Sequence, residues 1–348
     1  MKASKQQTAL LKLATPAISR LHEIGHQMNE KYAERASEVR GFMLALLADQ
    51  HVFLWGEPGV AKSAMTRDFF NAVTPALVIK EDETAYFEIM VDPASTKEDL
   101  FGDWNTALYE KTGVLKHSVQ GYLPTSHFAM IDECFNASGS TLKSMQMIIN
   151  ERTFKNKNEI LNCPLKMVVG ASNEIPTDST LRAFYDRLSL RYEVKAIQSN
   201  ETLIDLIETF ANAGQLPEVE ATLNKGDLNI LKKAASMVHI PREVCAVLVE
   251  IVRELEKQGL DYVSDRTMIS KVTKVIKASA ILDGRMTCQV SDLAIVADMA
   301  WSNPENISKV KAVVRSLADA DADAAQKLYD GVVKTHQKAV DAGMNKTN

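Results

Sequence analysis

The stretch GEPGVAKS, which reads Gly56-Glu57-Pro58-Gly59-Val60-Ala61-Lys62-Ser63, lies between an apolar run and a helical pattern. The run His51–Trp55 predicts a buried strand, and the pattern predicts a helix from Ser63 to about Ala72. Glycines at such a junction let backbone N–H groups turn towards a polyphosphate at the positive end of the helix. Lys62 would then reach the β- and γ-phosphates, and Ser63 would bind Mg²⁺.

One position departs from the usual phosphate-loop pattern, G-x-x-x-x-G-K-[ST]. Ala61 stands where that pattern has its second glycine. The extra methyl group is small, so we expect the loop to tolerate it. The alternative interpretation is a Gly-Pro turn followed by a solvated lysine.

A pair of acidic residues forms the second half of the predicted site. Asp132 and Glu133 directly follow the apolar strand pattern Phe128–Ile131. In an open α/β sheet, ligands lie at the carboxyl ends of the strands. Asp132 would hold Mg²⁺ through water, and Glu133 would orient and deprotonate the attacking water. A polar pair that merely ends a strand is the alternative, but the loop and the pair together predict ATP binding.

Asn173 follows a third strand pattern, Lys166–Ala171. Its amide would hydrogen-bond the γ-phosphate or the attacking water if this strand lies beside the other two. Taken alone, an asparagine that caps the turn before Pro176 is the more common arrangement.

Strand and helix patterns alternate as far as about Lys195, and this alternation predicts an α/β fold with a parallel sheet flanked by helices. Almost no strand signal follows, and capped helical patterns continue from Thr202. We therefore expect an α/β nucleotide-binding domain over residues 1–200, an all-α lid domain over 201–303 and a helical tail over 304–348.

Composition excludes several classes of protein. The chain has 348 residues, of which 46% are hydrophobic and 24% charged, so it is neither collagenous nor wholly disordered. Forty basic against 45 acidic residues argue against duplex DNA or an anionic membrane as the main partner. The four cysteines form no CxxC pair, and no apolar run approaches the ~20 residues that span a bilayer. We read no signal peptide and expect a cytoplasmic protein.

Several motifs together resemble the AAA+ ATPases of the MoxR family, most closely its RavA branch. The resemblance runs from about Ser19 to Trp301. Besides GEPGVAKS and MIDE, it rests on TKEDLFG (96–102), GYLP (121–124), INERTFKN (149–156), ASNEIP (171–176), FYDRLSLR (184–191) and VSDR (263–266). Alanine at the last loop glycine is usual in that branch.

The resemblance implies roles for further residues. Asn173 resembles sensor 1, and Arg266 resembles sensor 2 on the lid. Arg187 resembles the arginine finger that completes a neighbour's site, and the family pattern favours it over Arg191, although either arginine could instead form a structural salt bridge. Residues 99–117 are similar to the helix-2 insert, and residues 154–162 to the hairpin before sensor 1.

The implied function is ATP hydrolysis in a homo-oligomeric ring, expected to be a hexamer, that remodels a protein or metal-cofactor client. MoxR relatives commonly act with a von Willebrand A-type partner, so one is expected here. Two alternatives remain open: an ATP-gated assembly scaffold with slow turnover, and a translocase stimulated by nucleic acid. The RavA branch carries a further partner-binding domain after the lid, for which only a short helical tail is present here.

Three further patterns suggest other chemistry. His22-Glu23-Ile24-Gly25-His26 matches the zinc-protease signature H-E-x-x-H, but no third ligand is evident. Asp319, Asp321 and Asp323 have calcium-loop spacing without the required glycine and glutamate. Lys271, Lys274 and Lys277 recur every three residues, which is more typical of an exposed stripe than of a nucleic-acid site.

Overall fold

A parallel five-stranded sheet forms the centre of the α/β part. It is seen in a computed structural model that describes residues 5–176, 178–260 and 264–319. Every pair of neighbouring strands is parallel. In spatial order the strands are β2 (Thr84–Met90), β3 (Ser126–Asp132), β6 (Met167–Ser172), β1 (Val52–Trp55) and β7 (Leu190–Glu193). The prediction of a parallel sheet is confirmed, although β7 was not foreseen as a strand.

Helices cover both faces of this sheet, as the apolar strand sequences require. Val52 and Leu54 of β1 pack into one hydrophobic cluster, whereas Phe53 between them packs into the other. The first face carries α1 (Lys5–Lys31), α2 (Ala36–Ala48) and α3 (Lys62–Val73). The second face carries α6 (Gly139–Glu151) and α7 (Ser179–Tyr185). The expected fold class is therefore confirmed.

An insert and a hairpin project from the second face and form one unit. The insert contains α4 (Lys97–Phe101) and α5 (Thr106–Thr112), and the hairpin pairs β4 (Thr153–Asn156) with β5 (Glu159–Asn162). The buried side chain of Asn156 joins them, because it accepts from the backbone N–H of His117 and donates to the carbonyl of the same residue. The hairpin lies where the family resemblance placed it.

The remainder of the described chain is helical. It contains α8 (Asn200–Ala213), α9 (Asp227–Ser236), α10 (Arg242–Lys257), α11 (Asp265–Thr267), a π-helical turn (Met268–Val272), α12 (Thr273–Leu282) and α13 (Ile307–Ala318). Short 3₁₀ segments occupy Thr74–Ala76, Leu123–Thr125, Val290–Asp298 and Pro304–Asn306. We call residues 265–282 the lid helix.

The helical region shares a hydrophobic core with α1 and α2, because one buried cluster runs from Leu10 to Ala318. Arg20 of α1 also forms a bidentate ion pair with Asp227 of α9, with both N–O distances 2.7 Å. The domain boundaries expected after residues 200 and 303 stay predictions. Within the described ranges no helix has the length and apolar character needed to cross a bilayer.

An acidic side chain is enclosed where β7 meets the C-terminal helices. Only 18% of the Asp298 side chain is exposed, and the nearest cation, Lys311, lies 4.0 Å away. Burial and, to a smaller extent, the charge of Glu38 raise the pKa of Asp298 to about 7, against the opposing charge of Lys311. The unfolded chain loses this proton near pH 4, so stability falls as pH rises from about 4 to 7 and the full cost remains above pH 7.

Asp298→Asn should therefore be more stable than wild type at pH 8, by about 2–4 kcal/mol, and nearly equal to it at pH 4. Urea denaturation at several pH values measures the difference. The exposed Asp82 provides the control, because Asp82→Asn should follow the wild-type pH profile. Parallel profiles for wild type and Asp298→Asn would contradict the assignment.

Candidate functional site

The phosphate loop connects the end of β1 to the start of α3. Gly56 cannot be replaced without rearrangement, because a Cβ atom there would lie 2.2 Å from the carbonyl oxygen of Val194. Ala61 has a φ angle of +65° and a ψ angle of 21°, which is the left-handed conformation. A side chain in this conformation costs about 1–2 kcal/mol, so the loop keeps a geometry that glycine would adopt without strain.

The amine of Lys62 lies at the loop. It donates to the carbonyl oxygens of Gly56 at 2.5 Å and Glu57 at 3.0 Å. Burial lowers its pKa, while the nearby charges of Asp132 and Glu133 act in the opposite direction. A bound anion at the loop would add to that compensation and favour the charged amine.

The two oxygen ligands predicted for Mg²⁺ lie next to each other. The hydroxyl of Ser63 donates to the Oδ2 atom of Asp132 at 2.9 Å. Hydroxyl and carboxylate oxygens are suitable ligands for Mg²⁺, which usually keeps several waters and also binds substrate phosphates. Both residues are only partly buried, so water and a phosphate can reach them. The donor set therefore fits the metal.

Glu133 and Asn173 follow the ends of β3 and β6, beside the loop. Glu133 has a φ angle of +48°, and strained backbone of this kind is concentrated at functional sites. Its Oε2 atom accepts a hydrogen bond of 3.3 Å from the hydroxyl of Ser172. The Asn173 side chain is exposed, and the turn that follows is capped by the Ser172 hydroxyl, which accepts from the N–H of Glu174 at 3.1 Å.

The structure does not bring Arg187 to this edge. Arg187 lies in the turn before β7, whose first residue, Leu190, pairs with Val52 at the start of β1. The phosphate loop follows the other end of β1. The length of this four-residue strand therefore separates the turn of Arg187 from the loop by ~10 Å or more. Arg266 lies on the lid helix, whose Lys271 donates to the carbonyl oxygen of the residue before Arg187.

Arg187 and Arg191 have very different surroundings. Arg191 is buried, donates to the carbonyl oxygens of Leu188 and Trp301 at 3.2 and 2.5 Å, and stacks on Tyr185 at 4.2 Å. Arg187 is half-buried, its Nε atom has no hydrogen-bond partner, and its guanidinium forms no ion pair within the described ranges. Of these two arginines, only Arg187 therefore has a guanidinium that can pair with a group on another molecule.

A cavity of about 320 Å³ adjoins the phosphate loop. Its lining is mostly apolar, and its volume lies in the range of small-molecule sites. The lining includes the loop segment 59–61, residues 31–33 between α1 and α2, and Leu203 and Leu206 of α8. Its position suits the base of a nucleotide whose phosphates occupy the loop. Apart from the loop itself, no sequence motif marks this lining, because it comes from three distant segments and contributes mainly apolar surface.

The other patterns have structural explanations. The Nε2 atom of His22 lies 2.8 Å from the carbonyl oxygen of Leu282, and His26 lies beside Glu30. No group of three metal-ligating side chains occurs among the residues that the structure describes. Of the aspartate series, only Asp319 lies inside the described residues, and Asp321 and Asp323 lie outside them.

The lysine stripe is not uniformly solvated. Lys271 donates to the carbonyl oxygen of Asp186 at 2.8 Å, and Lys277 approaches that of Ser236 at 3.4 Å. Lys274 is exposed.

Comparisons with known proteins identify the family. Residues 19–233 match the family described as the MoxR domain in MoxR-vWA-beta-propeller ternary systems, and residues 243–314 match an AAA lid domain. Two uncharacterised proteins of Methanocaldococcus jannaschii are 31% and 30% identical over 88% and 86% of this chain, and each alignment covers 76% of the relative.

A crystal structure from Cytophaga hutchinsonii, of a protein provisionally assigned as an ATPase, superposes with a TM-score of 0.67. It covers 90% of this chain and 98% of its own at 15% identity, which shows a shared fold. The phosphate loop, the acidic end of β3 and the two family matches lead to one assignment: the chain belongs to the MoxR family of AAA+ ATPases.

Proposed function

We propose that the protein hydrolyses ATP with Mg²⁺ in a homo-oligomeric ring, expected to be a hexamer, and uses the energy to remodel a protein client. One observation carries the proposal. Lys62, Ser63, Asp132 and Glu133 converge at one edge of the sheet, whereas the turn of Arg187 lies at the opposite edge, where the lid helix that carries Arg266 contacts it. In this proposal each chain holds two halves of a site that only two chains can complete.

At the first edge, the loop amides and Lys62 would bind the β- and γ-phosphates. Ser63 and Asp132 would hold Mg²⁺, which neutralises charge on the phosphate oxygens when bound. Glu133 would orient the attacking water and accept its proton, and the exposed amide of Asn173 would hydrogen-bond that water or the γ-phosphate. The adjoining cavity would take the adenine base.

At the second edge, Arg187 would approach the γ-phosphate in a neighbour and stabilise the negative charge that develops there. Arg266, the sensor 2 residue by resemblance, lies on the lid helix that contacts the turn of Arg187, so we assign it to the same neighbouring site. A repeated head-to-tail contact of this kind closes into a ring when the rotation permits.

The family description supports a proposal for the partner, and the proposal for the location rests on the sequence. The family description names MoxR-vWA-beta-propeller systems, which supports a von Willebrand A-type partner for this chain. We also propose membership of the RavA branch, on the motifs quoted above, and a cytoplasmic location.

ATP turnover measured against protein concentration tests the proposal. The rate per subunit should rise with concentration and level off as rings form, because the catalytic arginine comes from a neighbour. Lys62→Met protein, prepared identically, controls for contaminating ATPases. A rate per subunit that does not change with concentration, in a chain that stays monomeric with ATP, would overturn the proposal. Stimulation by DNA or RNA would instead favour a translocase.

A further inference from the structure

A hydrogen bond joins the lid helix to the turn that carries Arg187. Lys271 donates from its Nζ atom to the backbone carbonyl oxygen of Asp186 at 2.8 Å. Asp186 directly precedes Arg187, so this bond fixes the peptide unit that joins them. Arg266 lies five residues before Lys271 on the same lid helix. A movement of the lid helix is therefore transmitted to the backbone at Arg187.

Arg187 has few other restraints. Its Nε atom is buried without a hydrogen-bond partner, and its guanidinium makes no ion pair among the described residues. The neighbouring Arg191 is held by the carbonyl of Trp301 and lies 3.6 Å from the carboxylate of Asp186. Arg191 and Lys271 thus both hold the turn, whereas no ion pair among the described residues holds the Arg187 guanidinium.

Lys271 is an unfavourable residue for packing alone. Burial and the charges of Arg187, Arg191 and Arg266 together lower its pKa to about 8, against the opposing effect of Asp186. Replacing such a lysine by an apolar residue of similar length relieves this cost. The residue also lies in the π-helical turn Met268–Val272, and π-helical turns are frequent at functional sites.

We propose that Lys271 is a positioning residue, which sets the Arg187 backbone for the neighbour's γ-phosphate and couples that placement to the lid helix. The inference rests on the proposed function, since it assumes that Arg187 acts between subunits. It predicts that loss of the Lys271 amine impairs the chemical step and leaves nucleotide binding and ring formation intact.

Lys271→Met removes the amine and keeps an unbranched side chain. We expect kcat for ATP to fall about 10- to 100-fold, because a small displacement of a catalytic group has effects of this size. KM for ATP and the mass of the ring should stay unchanged, and the temperature of unfolding should not fall. Lys274→Met is the matched control, since Lys274 is exposed on the same lid helix and makes no hydrogen bond within the described ranges; it should retain wild-type kcat.

Mixed rings separate a role between subunits from a structural role. Lys271→Met chains keep an intact Glu133, whereas Glu133→Gln chains keep an intact Lys271 and Arg187. Rings that contain both variants in equal amounts should therefore rebuild about a quarter of their sites and exceed the summed activity of the two pure rings. Rings that combine Arg187→Ala with Glu133→Gln should show the same gain.

The outcomes are distinguishable. A gain with Arg187→Ala but none with Lys271→Met leaves the proposed function standing and overturns the role of Lys271. No gain with either variant overturns the arginine's action between subunits, and the inference with it. Wild-type kcat in Lys271→Met, or a lower unfolding temperature without a gain in mixed rings, also overturns the inference.

Discussion

Glu133→Gln should lower ATP turnover by roughly 10²–10⁴-fold, which is the usual contribution of a general base. Glutamine has nearly the same shape as glutamate, and its amide can still face the Ser172 hydroxyl, so the turn after β3 should persist. The amide cannot accept a proton from the attacking water. Binding of Mg²⁺ and ATP should remain within about twofold of wild type, since Lys62, Ser63 and Asp132 are unchanged.

Single-turnover hydrolysis and equilibrium binding of a labelled nucleotide measure the two effects separately. Glu174→Gln is the matched control, because Glu174 is an exposed acidic residue just beyond β6 and should retain wild-type turnover. Wild-type turnover in Glu133→Gln would show that another group activates the water. The variant should also hold ATP for long periods, which makes it suitable for capturing the partner and the client.

The sheet and its catalytic edge could be predicted because the signals are local. Apolar runs that end in polar residues mark β1, β3 and β6, and parallel pairing brings their carboxyl ends together. The prediction that Asp132 lies near Ser63 required no knowledge of distant contacts. The tolerance expected for Ala61 also has a local explanation, because its backbone has the left-handed conformation that a glycine would adopt.

Features that depend on distant segments were not predictable. β7 is a four-residue strand with Arg191 inside it, and its pairing with β1 joins residues more than 130 positions apart. The cavity beside the loop combines three apolar segments whose proximity no spacing reveals. His22 matches a metal signature, yet its neighbour is a carbonyl group 260 residues away, and only the folded chain shows this.

Arg187→Ala should reduce kcat by about 10³-fold or more, as expected when an arginine that stabilises phosphoryl-transfer charge is lost. ATP affinity should change much less than kcat, because Arg187 mainly stabilises the negative charge that develops in the transition state. Stability should also change little, since the guanidinium makes no hydrogen bond or ion pair within the described ranges. Steady-state turnover, the mass of the ring and thermal unfolding together measure these three quantities.

Arg191→Ala is the informative comparison, because the two arginines lie four residues apart and differ in their contacts. Its loss would leave the buried carbonyl of Trp301 without a donor and would remove the stacking on Tyr185, at a cost of about 2–4 kcal/mol. We therefore expect Arg191→Ala to unfold at lower temperature, whereas Arg187→Ala loses turnover without losing stability. The reverse pattern would assign the intersubunit role to Arg191 and a structural role to Arg187.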